Sequence, residues 1–158
     1  QMLIENYPQT SWAKFAKERL LERGFSPAGE QINLNNSNLH QYMGRALTYF
    51  NQDRLEEAKP ILLQISERFP DFEGAPQALA ALALCYYKED DCKGTINNYK
   101  KLVERYPDNK LISEALFHLG LCYEKDGNQD LAEDAFRKLI TIDRNGAYGK
   151  QATLKIGL

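Results

Sequence analysis

The fold is decided by the stretch from Ala83 to Pro107, which has the sequence ALCYYKEDDCKGTINNYKKLVERYP. Six positions of this stretch, which we call the skeleton, hold similar residues 37 positions earlier and 37 positions later in the sequence. Its order is small, aromatic, small, aromatic, aliphatic and proline, at Ala83, Tyr86, Thr95, Tyr99, Leu102 and Pro107. The preceding copy has Ala46, Tyr49, Ala58, Leu62, Ile65 and Pro70, and the following copy has Gly120, Tyr123, Ala132, Phe136, Leu139 and Arg144. The chain is therefore a repeat array.

The spacing of this skeleton predicts a pair of antiparallel helices in each copy. Small residues on both helices let the two backbones approach closely, and the aromatic side chains fill the space beside them. The proline ends the second helix, because it lacks an N–H donor and clashes with the preceding turn. One hairpin cannot bury its apolar faces alone, so the copies stack. The sequence thus predicts an all-α fold of stacked helix hairpins.

The repeat resembles the tetratricopeptide repeat (TPR), whose pattern has small residues at unit positions 8 and 20, aromatic residues near 11 and 24, and proline at 32. The resemblance implies a right-handed superhelix whose first helices line a concave face. Two departures are the period of 37 residues rather than about 34 and the aliphatic residues where the family prefers alanine, at Ile65, Leu102 and Leu139.

Three similar phrases are expected to end second helices: Asn6-Tyr7-Pro8, Arg68-Phe69-Pro70 and Arg105-Tyr106-Pro107. Together with the longer period they are similar to the TPR subtype of bacterial envelope lipoproteins, such as the outer-membrane assembly factor BamD and the Tol-Pal-associated coordinator CpoB (YbgF). This resemblance implies a location in the periplasm or on the periplasmic face of the outer membrane.

Three segments make up the chain in this interpretation. Residues 1–24 hold the end of one repeat and a first helix, residues 25–37 form a loop or insertion, and residues 38–158 form three full units of 37 residues and a partial fourth. First helices are predicted at about 38–51, 75–88, 110–126 and 147–158, and second helices at about 54–68, 91–105 and 129–143. Both ends of the sequence fall inside a repeat, so we expect the natural protein to extend on both sides.

Two local signals concern the second helix of the first full copy. Asp53 and Glu56 have the spacing of a capping box at its start. Pro60 lies beyond its first turn and would remove a backbone hydrogen bond. We therefore expect a kink or a late helix start near Pro60.

Composition argues against several kinds of partner. The chain has 158 residues, a net charge of -2 and a pI of about 5.8, so it has no electrostatic footprint for nucleic acid. No apolar run approaches the ~20 residues that span a bilayer. A protein or peptide is the expected partner.

No arrangement of side chains indicates an enzyme. His40 and His118 lie two repeats apart, and the pairs Glu56-Glu57 and Asp90-Asp91 fall at turns or helix starts, where they complement the helix dipole. There is no phosphate-binding glycine loop. We expect no catalysis, no cofactor and no small-molecule substrate.

The cysteines favour packing. Cys85 and Cys122 share one repeat position, and His118 precedes Cys122 by four residues. Zinc would need a fourth ligand, which is not evident, so no metal site is predicted. In an oxidising compartment Cys92 is positioned to pair with Cys85 across the turn.

The resemblance implies a partner-binding concave face with seven residues: Met43, Leu47, Phe50, Leu84, Tyr87, Phe117 and Leu121. Two interpretations stay open for these apolar side chains: they pack between neighbouring repeats, or they line an exposed groove for a peptide. The family's clamp for a C-terminal carboxylate is missing, since His40, Gln77 and Glu114 stand at one of its positions.

The function expected from these observations is that of a protein interaction scaffold in a bacterial cell-envelope complex. A cytoplasmic TPR adaptor is one alternative. The other is a non-catalytic TPR region of a larger enzyme or secretion machine.

Overall fold

The computed structural model describes residues 15–16, 19–20, 23, 25 and 31–157. Within residues 31–157 the chain forms seven α-helices: α1 (Leu39–Asn51), α2 (Leu55–Arg68), α3 (Ala75–Lys88), α4 (Cys92–Arg105), α5 (Ile112–Lys125), α6 (Gln129–Asp143) and α7 (Ala147–Lys155). The described residues contain no strand, only an isolated antiparallel bridge between Phe25 and Gln31. The all-α class and the repeated helix hairpin are confirmed.

The predicted helix bounds agree with the observed ones to within three residues. First helices are α1, α3, α5 and α7, and second helices are α2, α4 and α6. The expected repeat end at residues 1–8 lies outside the described residues. Of the first helix expected within residues 1–24, residues 15–16 and 19–20 are described and are helical. Of the expected loop at 25–37, residues 32–37 are described without a helix, and Ile32 and Leu34 are buried.

The structure divides into an N-terminal body, residues 1–78, and a C-terminal body, residues 79–158. In the N-terminal body α1 packs against α2. In the C-terminal body α5 packs against α4, α6 and α7, and α6 also packs against α7. Within each body the helices thus pack against sequence neighbours, as in stacked hairpins.

The turn inside each hairpin has one structure, which recurs with the period of 37 residues. Its central residue has a positive φ, at Asp53 (59°), Asp90 (63°) and Gly127 (78°). The next residue donates its N–H to the carbonyl of the skeleton tyrosine at 2.9 Å, in the pairs Arg54–Tyr49, Asp91–Tyr86 and Asn128–Tyr123. This is the closure that commonly ends a helix with a left-handed residue. The three tyrosines are also alike in being half-buried.

The capping box predicted from Asp53 and Glu56 is wrong. The N-cap of α2 is Arg54, whose side chain makes no capping hydrogen bond. Asp53 lies one residue before the N-cap, and its positive φ of 59° makes it the left-handed residue of the turn. Arg54 instead binds the Glu57 carboxylate, with Nη2 2.9 Å from Oε1, and lies over the Tyr49 ring.

Two outcomes were expected at Pro60, a kink or a late helix start; the late start is wrong, and the kink stays a prediction. Helix α2 begins at Leu55 and continues through Pro60 to Arg68. Pro60 is among the fully buried side chains. Burial of its apolar ring offsets part of the cost of the missing backbone hydrogen bond.

Close helix contact in the third copy depends on Gly120. A Cβ atom there would lie 2.4 Å from Cε1 of Phe136, which is well inside van der Waals contact. In the second copy the fully buried Thr95 takes the second small position and donates its hydroxyl to the carbonyl of Asp91 at 2.9 Å. Small residues on facing helices therefore bring the backbones together, as the spacing predicts.

Candidate functional site

Four aromatic rings surround the imidazole of His118 in the C-terminal body. The Tyr99 ring stacks on the imidazole with centroids 5.5 Å apart, and the Tyr87 ring meets it edge to face at 4.9 Å. Phe117 and Tyr148 approach the same imidazole at 5.8 and 6.1 Å. We call Tyr87, Tyr99, Phe117, His118 and Tyr148 the aromatic cluster.

The aromatic cluster reaches from the core to the surface. Tyr99 is fully buried and Phe117 is 7% exposed, so both belong to the core. Tyr87 is 37% exposed, and His118 and Tyr148 are half-buried. These three outer side chains come from α3, α5 and α7. Successive first helices therefore each present one ring on this surface.

Glu114 connects the inner and outer parts of the cluster. The Tyr99 hydroxyl donates to Glu114 Oε1 at 2.8 Å, and the backbone carbonyl of Glu114 lies 3.0 Å from His118 Nδ1. Burial, followed by the nearby Glu114 charge, raises the pKa of Tyr99 far above its ordinary value. The same two causes raise the pKa of Tyr148. Both phenols therefore stay neutral and keep their hydroxyl protons.

The seven residues predicted to bind a partner lie in both bodies. In the C-terminal body Tyr87 and Phe117 belong to the aromatic cluster, and Leu84 and Leu121 are partly buried against the core. In the N-terminal body Met43 is buried at 5% exposure, while Leu47 and Phe50 are half-buried. Their role in binding stays a prediction.

The sequence interpretation did not bring Tyr99, His118 and Tyr148 together. Each occupies a different position in the repeat, so the period of 37 residues does not align them. The sequence holds one related signal. Tyr87 and His118 are 31 residues apart, and the same separation places the oppositely charged Glu124 and Lys155 at the equivalent positions of the next copy. In the structure Glu124 and Lys155 form an ion pair at 2.7 Å.

None of the three cysteines forms a disulfide; Cys85 and Cys122 are buried and Cys92 is half-buried. Burial, then a hydrogen bond and charge interaction with Cys92, raise the pKa of Cys122 to about 12. Cys92 of the second copy thus lies beside Cys122 of the third copy. Across the described part of the chain, no three His, Cys, Asp or Glu side chains gather in the way that a metal ion requires.

None of the helices in the described part of the chain is both long enough and apolar enough to pass through a bilayer.

Comparison with known proteins agrees with the repeat geometry. A family model described as tetratricopeptide repeat matches residues 42–71, 77–109 and 114–145, which together make up more than half of the chain. Each matched segment begins in a first helix and extends beyond or to the end of the following second helix. No curated protein matches the chain.

Proposed function

The chain belongs to the tetratricopeptide repeat family, and from this membership we propose that it is an interaction scaffold that binds a peptide or protein with its first-helix residues. Repeats of this family generally mediate contacts between proteins and are typically non-catalytic. The binding residues proposed in the C-terminal body are Leu84, Tyr87, Phe117 and Leu121. Those proposed in the N-terminal body are Met43, Leu47 and Phe50.

The observation that carries this proposal is the partial exposure of aromatic side chains on three successive first helices. Tyr87 is 37% exposed, and His118 and Tyr148 are half-buried. Tyrosine combines a large apolar area with a polar tip, which makes it one of the residues that most often dominate binding energy at protein interfaces. The buried Tyr99 and Phe117 contact this surface from the core, through His118 and Tyr148 respectively.

In the N-terminal body the proposed residues lie on α1 at i, i+4 and i+7, so they share one face of the helix. Met43 is buried, and Leu47 and Phe50 are half-buried. This face has one partly exposed ring, Phe50, whereas the aromatic cluster has three, Tyr87, His118 and Tyr148. We therefore assign the main contact to the C-terminal body.

The test is selection from a displayed library of random 12-residue peptides on the purified chain. We expect wild-type protein to enrich peptides that lose binding when Tyr87 and Leu121 are both replaced by glutamate. The matched control is Ile142→Glu, because Ile142 is an apolar residue of a second helix and is 60% exposed. Helical circular dichroism and thermal melting establish that each variant is folded.

The first-helix site is supported if the enriched peptides still bind Ile142→Glu but no longer bind the double variant Tyr87→Glu/Leu121→Glu. Equal binding by all three proteins contradicts it. If the double variant is unfolded, the single variant Tyr87→Glu decides the question, since the Tyr87 side chain lies partly in solvent.

We further propose that the scaffold works in a bacterial cell-envelope complex, at the periplasm or the periplasmic face of the outer membrane. The period of 37 residues and the phrases Arg68-Phe69-Pro70 and Arg105-Tyr106-Pro107 support this location through their similarity to the envelope subtype. Fractionation of the native organism, with an antibody against the chain, tests it. Recovery in the periplasmic or outer-membrane fraction is expected, whereas recovery in the cytosol would favour the cytoplasmic adaptor.

A further inference from the structure

The outer part of the aromatic cluster offers hydrogen-bond acceptors and a negative charge. The Glu114 carboxylate receives one hydrogen bond, from the Tyr99 hydroxyl, and is only partly buried. Within the described residues, no lysine or arginine forms an ion pair with Glu114. A carboxylate accepts several hydrogen bonds, so this group retains the capacity to bind a cationic donor.

The imidazole of His118 adds a second acceptor. Its Nδ1 lies 3.0 Å from the Glu114 carbonyl oxygen, and a carbonyl only accepts, so Nδ1 carries the proton. In the neutral ring Nε2 then has a free lone pair. The acceptor at Nε2 and the carboxylate of Glu114 belong to residues one turn apart on α5.

The rings themselves favour a cation. The faces of the Tyr87 and Tyr148 rings carry the negative part of the aromatic quadrupole, and both side chains reach solvent. Tyr87 and His118 meet where α3 faces α5, and we call such a contact between two successive first helices a junction. At the next junction, between α5 and α7, the equivalent positions 37 residues later hold Glu124 and Lys155, and the Lys155 ammonium binds the Glu124 carboxylate. The chain thus supplies its own cation at one junction and an aromatic ring at the other.

A guanidinium group fits this set of partners best among protein side chains. It is planar, stacks on aromatic rings, and has five N–H donors and no acceptor. We propose that the surface formed by Tyr87, Glu114, His118 and Tyr148 binds an arginine side chain of the partner peptide. The guanidinium lies against the rings and donates to the Glu114 carboxylate and to His118 Nε2. This inference rests on the proposed peptide-binding function and specifies the chemistry of the partner.

The test uses arginine-containing peptides enriched on the wild-type chain from the 12-residue library. Each is synthesised with arginine and with citrulline, which keeps the shape and the planar head group but has no charge. Affinities are measured for wild type, for Glu114→Gln, which keeps an acceptor for the Tyr99 hydroxyl, and for the control Glu104→Gln. Glu104 is an exposed carboxylate on the second helix α4, so the control removes the same charge elsewhere.

We expect citrulline to weaken binding to wild type and to Glu104→Gln by about tenfold, the size typical of a lost charge-assisted hydrogen bond. In Glu114→Gln the arginine and citrulline peptides should differ by less than about twofold, since the partner charge is gone. If the enriched peptides contain no more arginine than the starting library, this inference is wrong and the scaffold function still stands. The same holds if citrulline binds wild type as well as arginine does, or if Glu114→Gln keeps the full arginine preference. A library that yields no peptide dependent on Tyr87 and Leu121 would overturn the scaffold proposal and this inference with it.

Discussion

Tyr87 and His118 contact each other edge to face, with ring centroids 4.9 Å apart, at the pair of repeat positions that Glu124 and Lys155 occupy 37 residues later. The later pair is ionic, with Lys155 Nζ 2.7 Å from Glu124 Oε2. Successive junctions between first helices therefore use different physical interactions at equivalent places. Their contributions to stability should differ accordingly.

The first prediction compares the two junctions. Replacing His118 by alanine removes the stacking on buried Tyr99 and the contact with Tyr87, so the free energy of unfolding should fall by about 1–3 kcal/mol. Lys155→Ala should cost at most about 1 kcal/mol, because exposed ion pairs contribute little, and the Lys155 side chain is 41% exposed. Urea unfolding of both variants measures the difference. Equal losses would show that the stacking contributes nothing beyond a surface contact.

The second prediction concerns two glycines at which a side chain would meet open space. Gly127 has a φ of 78°, and an added Cβ meets nothing within 4 Å, so Gly127→Ala should cost about 1–2 kcal/mol through backbone strain alone. Gly44 lies inside α1 with equal space. Gly44→Ala should therefore raise stability by up to about 1 kcal/mol. Thermal unfolding distinguishes the opposite signs, and a loss at Gly44 would contradict the argument.

The third prediction tests the close approach of α5 and α6. Gly120→Ala places a methyl group 2.4 Å from Cε1 of Phe136 and should cost about 1–3 kcal/mol by overpacking. The first copy has alanine and leucine at these two positions, Ala46 and Leu62, both fully buried. Adding Phe136→Leu to Gly120→Ala should therefore recover part of the loss. The four proteins form a double-mutant cycle, and strictly additive losses would show that the two positions do not interact.

Much of the fold was predictable because each hairpin is specified by residues close together in the sequence, and the same pattern occurs in three copies. The bounds of α2, α4 and α6 follow from turns that all use the same hydrogen bond to a skeleton tyrosine, in the pairs Arg54–Tyr49, Asp91–Tyr86 and Asn128–Tyr123. The capping box at Asp53 was a misinterpretation of a single copy. Gly127 at the equivalent position indicates a left-handed residue there, and comparison of the copies would have favoured the turn.

The candidate site was predictable only in part. Tyr87 and Phe117 were identified from their positions in the repeat, but His118, Tyr148 and Tyr99 occupy unrelated positions and come from different helices. Their meeting depends on how the side chains pack between copies, which the period does not specify. Pro60 shows the same limit, since backbone rules predict a kink or a late helix start there and the helix already begins at Leu55.

The last prediction concerns alkaline pH. The pKa of Tyr99 is raised above its ordinary value of about 10, and that of Cys122 is raised from about 8.5 to about 12, in both cases chiefly by burial. Below about pH 8.5 both groups are protonated in the folded and unfolded states, and their contribution is fully present. As the pH rises further, the unfolded chain loses these protons while the folded chain keeps them, so the free energy of unfolding falls.

Each group should lower the free energy of unfolding by up to about 1.4 kcal/mol per pH unit once its unfolded pKa is passed. Urea unfolding of wild type and of Tyr99→Phe at pH 7 to 11 measures this loss. Tyr99→Phe removes one titrating group, so its stability should fall less steeply than that of wild type above about pH 10. Cys122→Ala should likewise reduce the slope, beginning at about pH 8.5. Parallel curves for the three proteins would show that neither buried group is linked to folding, because only a proton held differently in the two states changes stability with pH.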